Sequence, residues 1–528
     1  MAAFPASCSV GPVGGGVVRR YSKVWTLVAT ILGSSMAFID GTAVNVALPI
    51  LQADLDASIT ELQWVIEAYA LFLAALLLVG GALGDRLGRR RIFVIGIVVF
   101  ASASAWCGIA PSVGQLIAAR ALQGIGGALF VPGSLALIGA CFTDQERGKA
   151  LGTWSGASGL MAAAGPLLGG FLADTFSWRW VFYINIPIAI IVVAIALLRV
   201  PESRDPEGGG GVDWAGGLLA TVGLGALVYG LIESANRGLS DPIVVASLAL
   251  GVVGLVAFVF VEARVRSPMM PLGVFRSRNF AGANILTLLL YAGLGGSLFF
   301  LPLNLVLVQG YSATQAGAAL LPFILLIALI SRWAGGLVTR TGPKLPLVVG
   351  PAIAGVGFLL FARPEIGGSY WVTFFPAIAV FGLGMALTVA PLVTVVMGSV
   401  DQNHAGLASG INNAISRTAS LLALAVFGLI ALALFNGALD DRLADAGVPP
   451  AVVASLEGER VKLAAAEAPA GLEADLAAAV DRAIDLAYVA AFRGIMLISA
   501  ALAFASALTA LLWIERSPVA RAQPAPRE

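Results

Sequence analysis

The feature that most constrains the fold is a succession of apolar stretches, each long enough to cross a lipid bilayer. A membrane-spanning helix needs about 20 mostly apolar residues. Because the bilayer core offers no partner for backbone N–H and C=O groups, such stretches fold as α-helices. Fourteen of them can be read, with approximate cores at residues 25–50, 62–83, 92–110, 115–140, 148–173, 180–199, 214–233, 242–262, 280–308, 314–339, 345–362, 371–398, 405–435 and 487–514.

Composition and charge agree with an all-α integral membrane protein and indicate its orientation. The chain is 59% hydrophobic and only 12% charged, which excludes a soluble globular domain. Lys and Arg concentrate in the connections that share a side with the N-terminus, for example at Arg19, Arg20 and Arg89–Arg91. Positively charged connections stay on the cytoplasmic side. We therefore expect a multi-pass protein of the plasma (inner) membrane with both termini in the cytoplasm.

The spans and their connections predict how the chain is divided. The long first stretch and the spans after it favour an uncleaved first span over a secretory signal. The segment 437–485 is rich in Ala, Asp and Glu and is expected outside, as a partly helical cap or a mobile loop. The predicted parts are cytoplasmic tails at 1–23 and 515–528, six-helix bundles at 24–200 and 279–514, and linkers with two inserted helices at 201–278.

Several kinds of site are missing from the sequence. Cys8, Cys107, Cys141 and the single His404 have neither metal-ligand spacing nor a disulfide framework. No Gly-x-x-x-x-Gly-Lys-Ser/Thr motif for nucleotide phosphates occurs, so the energy for transport would come from a gradient. No cluster of polar groups suited to catalysis lies at a span end. We predict no enzyme activity, no metal, no cofactor and no nucleic-acid partner.

An internal repeat relates the two bundles. When Gly81 is placed on Gly335, an offset of 254 residues, Arg86 falls on Arg340 and similar residues coincide in two further regions. Homologous halves that rock around a central site are typical of alternating-access transporters. The coincident residues include Gly88 with Gly342, Ser58 with Ser312, Thr60 with Thr314, Gly152 with Gly406, Ser155 with Ser409 and Gly156 with Gly410.

The acidic residues do not follow this repeat. Asp40 corresponds to Leu294 and Asp85 corresponds to Thr339. An ionised carboxylate inside a span costs several kcal/mol, order of magnitude, unless it is compensated. A residue that the fold itself required would be expected in both halves. The asymmetry therefore favours a functional role for Asp40.

The segment GALGDRLGRRR, between the second and third spans, resembles the signature loop of the major facilitator superfamily. The resemblance implies that Asp85 stabilises one side of the transport cycle by pairing with an Arg or with a helix N-terminus of the other half. A plain cytoplasmic anchor made by the Arg cluster is the alternative. The residues assigned to this conformational gating loop are Gly81, Asp85, Arg86, Gly88, Arg89 and Arg90.

Two other spans carry motifs that resemble those of the same superfamily. LIAARALQGIGGAL resembles the fourth-span motif and places Arg120 and Gln123 on one helix face. A buried Arg120 needs an acidic partner, and an Arg near the outer interface is the alternative. GTWSGASGLMAAAGPLLGG resembles the fifth-span motif of antiporters, although Met161 stands where Gly is usual. Its residues, which would shape helix packing, are Gly152, Gly165, Pro166, Gly169 and Gly170.

The first span completes the resemblance. DGTAVNVALP, which begins at Asp40, resembles the first-span motif of the 14-span drug:proton antiporter branch. SWRWVFYINIP and AGLASGINNAISR are similar to other segments of that branch. The resemblance extends over spans 1 to 13. It implies a major-facilitator fold, with two six-helix bundles and two inserted helices, and multidrug efflux as the function.

The resulting hypothesis is proton-coupled export by alternating access, with a small molecule and protons as partners. Asp40 would bind a proton from outside and release it inside, and Arg120 would favour release by approaching the carboxylate. Glu67 in the second span is assigned to the same proton-coupling group or to a cation-binding cavity, with simple burial near the outer interface as the alternative. Residues expected to line the cavity are Asn45, Gln123, Asn412, Asn413 and Arg417.

The same fold leaves other functions open. It would also serve an exporter or flippase of an endogenous lipid or metabolite. A symporter or importer is a further alternative, which the Gly-Pro motif of the fifth span disfavours. We expect the chain to work as a monomer in the bilayer. The motifs contain no signal for the identity of the substrate.

Overall fold

The chain folds almost entirely into long helices. A computed structural model describes residues 16–204, 213–265, 268–400 and 405–516. Within these ranges, 14 helices are long and apolar enough to cross a membrane, as predicted. They are α1 Gly16–Leu55, α2 Ile59–Leu87, α3 Arg89–Ile109, α4 Val113–Cys141, α5 Asp144–Thr175, α6 Trp180–Tyr183 continued by Asn185–Arg199, α7 Trp214–Arg237, α8 Pro242–Glu262, α9 Arg278–Leu303, α10 Ala313–Ala319 continued by Leu321–Thr341, α11 Lys344–Phe361, α12 Phe375–Gly398, α13 Ala405–Asp445 and α14 Ala474–Trp513.

Helices α2 and α10, which the sequence repeat relates, begin and end with the same backbone features. Ser58 and Ser312 precede these helices, and each forms a capping box with the residue three positions later. In a capping box, the serine side chain accepts from the backbone N–H of the residue three positions later, and the side chain of that residue accepts from the serine N–H. Gly88 and Gly342 follow the two helices with φ values of 119° and 75°, a region that glycine adopts without strain. Both pairs are related by the 254-residue offset.

Helix packing follows the same pattern in both halves. In the first half, α1 packs on α5 and α6, α2 packs on α4, and α3 packs on α4 and α6. In the second half, α9 packs on α13 and α14, α10 packs on α12, and α11 packs on α12 and α14. Glycines allow the close approaches, for example where Gly96 of α3 meets Gly126 of α4.

The inserted helices α7 and α8 lie beside the junction of the two halves. They pack on each other through Gly223, Gly251 and Gly254. Helix α7 also packs on α2 of the first half and on α13 of the second half. A small apolar cluster joins these three helices and includes Leu71, Val228 and Leu421.

The two halves meet at the far face, which we define as the side of the molecule where α1 ends. Helix α5 contacts α10 there, with Gly170 against the Ala313 carbonyl and Gly317 against the Pro166 carbonyl. Helix α2 contacts α13, where Gln63 Nε2 donates a hydrogen bond to a backbone carbonyl at 2.7 Å. That carbonyl belongs to Leu424. The two contacts correspond to each other in the repeat, because the 254-residue offset relates Gln63 to Gly317 and Gly170 to Leu424.

The near face, where α1 begins, is different. In the half of α5 close to this face, Gly152, Gly156 and Gly159 are exposed, and a Cβ added to any of them would have no neighbour within 4 Å. In the far half of the same helix, Gly165, Gly169 and Gly170 are all in tight contact with other helices. The halves are thus closed together at the far face, while α5 stands open towards the near face.

The segment 437–485 is partly helical. Helices α13 and α14 extend into it, and the turns Pro450–Ser455 and Arg460–Ala465 lie between them. Leu463 is buried, Lys462 pairs with Asp56 at the end of α1 at 2.8 Å, and Gln52 donates to the Lys462 carbonyl at 3.1 Å. The hydrogen bond to Asp56 raises the pKa of Lys462. This far-face cap therefore ties the second half to the first.

Some predicted segments fall outside the described ranges. Most of the tails at 1–23 and 515–528, residues 205–212 of the linker, and His404 belong to this group. Helices α1, α13 and α14 are longer than the predicted apolar cores, because polar residues continue each helix beyond the apolar stretch.

Candidate functional site

Asp40 lies where several helices of the first half converge. Its side chain on α1 is fully buried, and Oδ2 accepts a hydrogen bond from Nη1 of Arg120 on α4 at 2.5 Å. Arg120 is also buried and donates from Nε to the Val65 carbonyl of α2 at 3.0 Å. Removing either member of a buried ion pair leaves the other uncompensated, at a cost of about 3–5 kcal/mol. The acidic partner that a buried Arg120 needs is thus Asp40.

A polar network completes the surroundings of the Asp40 carboxylate. Gln123 Nε2 donates to Asp40 Oδ1 at 2.8 Å, and Gln123 Oε1 accepts from Arg120 Nη1 at 2.7 Å. Asn185 Nδ2 on α6 donates to Asp40 Oδ1 at 3.4 Å and to Ser104 Oγ on α3 at 2.9 Å. With these bonds, groups from α1, α2, α3, α4 and α6 all take part in one cluster, which we call the Asp40 cluster.

Two members of the Asp40 cluster were missed from the sequence. Asn185 lies within SWRWVFYINIP, so the motif contained it without assigning it a partner. Ser104 lies in a stretch of small residues of α3 and has no distinguishing signal in the sequence. Neutral polar side chains are common in membrane spans, where they hydrogen-bond across helices. Only the fold shows that these two approach Asp40.

Aromatic rings enclose the ion pair. The Arg120 guanidinium carbon lies 4.3 Å from the centre of the Tyr69 ring and 5.8 Å from that of Phe182. Cation–π contacts of this kind stabilise a desolvated cation. The Tyr69 hydroxyl is buried and has no hydrogen-bond partner among the described residues. The rings therefore separate the pair from solvent, and one hydroxyl beside it is unsatisfied.

The second half contains no counterpart of this cluster. Residues 254 positions after Asp40, Ser104, Arg120 and Gln123 are apolar. Phenylalanines, including Phe358 and Phe381, line a small cavity in this half. The four corresponding residues are Leu294, Phe358, Phe374 and Ala377, of which the last three are buried.

Glu67 lies apart from the Asp40 cluster. Val65 and Tyr69 face Arg120, and Glu67 is two positions from each of them, about 200° around the helix. It shares its face of α2 with Gln63 and Leu71, which contact α13 and α7. Glu67 is fully buried, and neither of its oxygens has a hydrogen-bond partner among the described residues. Glu67 lies at the start of the third turn of α2, so it is farther from the far-face end of this helix than its position in the sequence suggests.

The residues expected to line the cavity have different surroundings. Asn45 donates to the Gly41 carbonyl of its own helix at 3.4 Å, and Asn413 is exposed. Asn412 is tied within the second half, where it donates to Asn284 and to a threonine hydroxyl. Arg417 is partly buried on α13. No hydrogen bond or ion pair of this arginine is formed within the described part of the chain.

The predicted gating loop forms its contacts within the first half. Asp85 accepts a hydrogen bond from Arg89 at 2.7 Å, one turn later. Glu202, which follows α6, accepts from the backbone N–H groups of Arg90 and Arg91 at 3.0 and 3.2 Å. The carboxylate of Glu202 therefore occupies the positive end of α3. Asp85 is predicted to pair with an arginine or with a helix N-terminus of the other half, and in this conformation it pairs with an arginine, Arg89.

A second ion pair stabilises the near face of the same half. Lys23 of α1 lies 2.5 Å from Glu146 near the start of α5. The hydrogen bond from Lys23 lowers the pKa of Glu146 to about 2. Both groups are solvent-accessible, so the contribution of this pair to stability is small.

The glycines predicted in the fifth span mostly mark close helix contacts. Gly165 and Gly169 face α1, where an added Cβ would meet Thr42 and Ala43. Gly170 faces α10, and Pro166 presents its carbonyl to Gly317 of the same helix. Gly152 is the exception, since it contacts nothing in this conformation. One helix thus packs on its own half and on the other half.

Thr42 connects the first-span motif with the fifth-span motif. Pro166 has no N–H, so the Ala162 carbonyl lacks its usual helical donor. Thr42 Oγ1 lies 3.1 Å from that carbonyl, and its one O–H is shared between it and the Phe38 carbonyl of α1 at 2.9 Å. Asp40 and Thr42 are two residues apart, and their side chains therefore contact different helices, α4 and α5.

Comparison with known proteins identifies the family. Residues 30–424 match the model described as Major Facilitator Superfamily. The chain belongs to this superfamily. This major facilitator protein is 39% identical over 432 residues to the puromycin resistance protein pur8 of Streptomyces alboniger, which covers 81% of this chain and 84% of the relative. It is 35% identical over 423 residues to the multidrug resistance protein Stp of Mycobacterium tuberculosis (strain CDC 1551 / Oshkosh), which covers 80% and 78%.

A solved structure shares the fold of this major facilitator protein. It is a bacterial homolog of the human lysosomal transporter Spinster, in an inward-facing and unoccupied conformation. The TM-score is 0.62 at 20% identity, and the match covers 93% of this chain and 98% of the other. The predicted family and the all-α fold are therefore confirmed. The family and its named relatives indicate a multi-pass membrane transporter and point away from catalysis.

Proposed function

We propose that this protein exports drugs or other hydrophobic or cationic small molecules in exchange for protons. The observation that carries the proposal is the buried Asp40–Arg120 pair, which belongs to one of two related halves only. The relatives named for puromycin and multidrug resistance support drug-like substrates. The chain would act as a monomer in the plasma membrane, with the proton gradient as its only energy source.

The charge balance of the Asp40 cluster suggests how a proton is coupled to movement. With Asp40 ionised, its charge and that of Arg120 cancel. Protonation of Asp40 would leave a buried and uncompensated guanidinium, which is costly in a low dielectric. This cost of the uncompensated charge would be relieved if α1 moved relative to α4. Through Thr42 and Asn185, α1 is linked to α5 and α6, so the strain would reach the contact between the halves.

The present conformation fits one step of the proposed cycle. The ion pair is intact, the far face is closed, and the near half of α5 is open. If the near face is cytoplasmic, as the distribution of Lys and Arg predicts, this is a state in which Asp40 has released its proton inwards. Protonation from the far side would belong to the opposite state. Glu67 would act separately, as a second buried carboxyl at the contact of α2 with α13.

Transport in proteoliposomes tests the proposal. A pH gradient is imposed, and export of a cationic dye such as rhodamine 6G is compared for the parent protein and Asp40→Asn. We expect the variant to lose uphill transport and to keep dye exchange without a gradient. Asp54→Asn is the matched control, because Asp54 is an exposed carboxylate on the same helix that pairs with Arg179. Equal gradient-driven export by the parent and Asp40→Asn would refute the assignment.

A further inference from the structure

Two buried carboxyl groups lie together at the near-face end of the inserted helices. Asp213 precedes α7 and Glu262 ends α8, and the two residues are 7% and 3% exposed. Asp213 Oδ1 accepts from the Gly216 N–H at 2.8 Å, and Glu262 Oε2 accepts from the Met270 N–H at 3.0 Å. The other oxygen of each carboxyl group, Asp213 Oδ2 and Glu262 Oε1, has no hydrogen-bond donor among the described residues.

The two unsatisfied oxygens converge on one place. A Cβ added to Gly216 would lie 2.6 Å from Asp213 Oδ2 and 2.9 Å from Glu262 Oε1, so both oxygens border the same point. The two side chains are also in hydrogen-bond contact with each other. Because ionised carboxylates only accept hydrogen bonds, this contact requires a proton on one of them. Two buried carboxylates so close together repel each other when both are ionised, which favours one shared proton.

The neighbouring elements supply no cation to balance the pair within the ranges that the structure describes. Arg264, just after α8, has its guanidinium carbon 5.7 Å from the centre of the Phe260 ring. Helix α2 meets the start of α7 with the apolar Val79. The connection from α8 to α9 meets Glu262 with the backbone N–H of Met270. The surroundings are thus apolar groups and N–H donors.

A metal ion does not fit this place. Mg²⁺ and Ca²⁺ take about six or more oxygen ligands. Only two carboxyl groups meet here, and the described part of the chain contains no group of three or more His, Cys, Asp or Glu side chains that could hold a metal. The proton is the ligand that two facing acceptor oxygens can share.

We propose that Asp213 and Glu262 form a proton-binding site, in which one shared proton holds the start of α7, the end of α8 and the connection to α9 together. This site is separate from the Asp40 cluster and goes beyond the proposed antiport. Loss of the proton leaves two negative charges in contact, so Glu262 turns towards solvent and releases Met270. A rise in pH on the near side therefore loosens the connection that enters the second half.

Hydrogen exchange of the segment 268–276, measured by mass spectrometry on the full chain in nanodiscs, tests the proposal. Each variant is compared with the parent at the same pH, so that the intrinsic pH dependence of exchange cancels. The amide in Asp213→Asn donates to Glu262 at any pH. We expect this variant to match the parent at about pH 6 and to exchange about tenfold more slowly at about pH 9. Gly216→Ala should exchange faster than the parent at the lower pH, because its Cβ would push the two oxygens apart.

Asp241→Asn is the matched control. Asp241 caps α8 at its other end, through the N–H groups of Ile243 and Val244. This variant should exchange like the parent at both pH values. An Asp213→Asn to parent ratio that is the same at both pH values would overturn the inference.

Two further comparisons separate a proton from other ligands. Arg264→Gln and Arg266→Gln, of which the second lies outside the described ranges, should keep the pH dependence of the parent. Loss of this dependence in either variant would show that an arginine balances the pair, and would overturn the inference. Slower exchange on addition of Mg²⁺ at constant pH would do the same in favour of a metal ion. No substrate or gradient is needed, so the outcome is independent of the proposed antiport.

Discussion

The Asp174 carboxylate at the end of α5 accepts hydrogen bonds from the backbone N–H and the hydroxyl of Thr314 in α10, at 2.7 and 2.6 Å. It also accepts from the N–H of Ala313 at 3.1 Å. A helix N-terminus exposes unpaired N–H groups and attracts negative charge. Here the cap comes from the other half of the molecule. Opening of the far face must break it.

Replacing Asp174 should favour opening of the far face. We expect Asp174→Ala to destabilise the far-closed state by about 1.5 kcal/mol, which raises the ratio of far-open to far-closed molecules roughly tenfold. Spin labels on cysteines that replace Phe176 and Trp371, exposed residues of the two halves, report the separation by pulsed electron resonance. The distance distribution should gain a longer component.

A matched control exists for the Asp174 experiment. Asp241 caps α8 in the same way, through the N–H groups of Ile243 and Val244 at 2.8 and 3.3 Å, but it lies within the inserted pair. Asp241→Ala should leave the label distance unchanged. If both variants shifted the distance, or neither did, the cap would not be the contact that holds the far face closed.

A side chain at Gly170 should prevent closure. An added Cβ would collide with the backbone of Ala313 and Thr314, and no flexible side chain there can give way. Overpacking of this kind costs about 1–3 kcal/mol. Gly170→Ala should therefore lower gradient-driven export about tenfold or more. Gly114→Ala, at the far-face end of α4, should be neutral, because a Cβ there has no neighbour within 4 Å although the far face is already closed. Comparable export by the two variants would contradict the tight contact.

Thr42→Val should destabilise the protein although it preserves the shape of the side chain. The Ala162 carbonyl would lose the hydroxyl that it shares with the Phe38 carbonyl and that takes the place of the missing N–H of Pro166, at a cost of about 1 kcal/mol. Thermal unfolding in detergent measures the loss. Thr221→Val is the control, because Thr221 donates only to the Gly217 carbonyl of its own helix. A smaller effect for Thr42→Val than for this control would count against the link between the two motifs.

The far-face cap should depend on its apolar residue more than on its ion pair. Leu463 is 1% exposed, and Leu→Ala at a buried site costs about 2–5 kcal/mol. The pair of Lys462 with Asp56 is largely exposed on the acidic side, and such pairs contribute about 0–1 kcal/mol. Protease digestion of intact protein should therefore cut the segment in Leu463→Ala well before Lys462→Ala. The reverse order would contradict this ranking.

Much of the fold and the centre of the site could be predicted from the sequence. Span number follows from the length of apolar runs, because every backbone group in lipid must be satisfied within a helix. The pairing of Asp40 with Arg120 follows from the cost of a lone buried charge. The offset of 254 residues places both repeated caps and both glycine turns correctly.

What the sequence left open depends on relations between helices. Ser104 and Asn185 are neutral, so no energetic argument marks them before their neighbours are known. As acidic residues within spans, Glu67 and Asp40 fall into one predicted group, yet helical periodicity puts Glu67 on the face of α2 opposite to Val65, which contacts Arg120. The sequence predicts Asn412 in the cavity lining, and in the structure it donates a hydrogen bond to Asn284 of its own half. Composition gives the polarity of a residue and not the direction in which it points.

Proton release on substrate binding tests the central claim about Asp40 most directly. Purified protein in weakly buffered detergent solution, with a pH-sensitive dye present, is mixed with rhodamine 6G. The parent and Glu67→Gln should release protons into solution, because the compound shifts molecules with a protonated Asp40 towards the conformation in which the carboxylate pairs with Arg120. Asp40→Asn should bind the compound without any release. Release by Asp40→Asn equal to that of the parent would contradict the assignment of Asp40 as the residue that exchanges the proton.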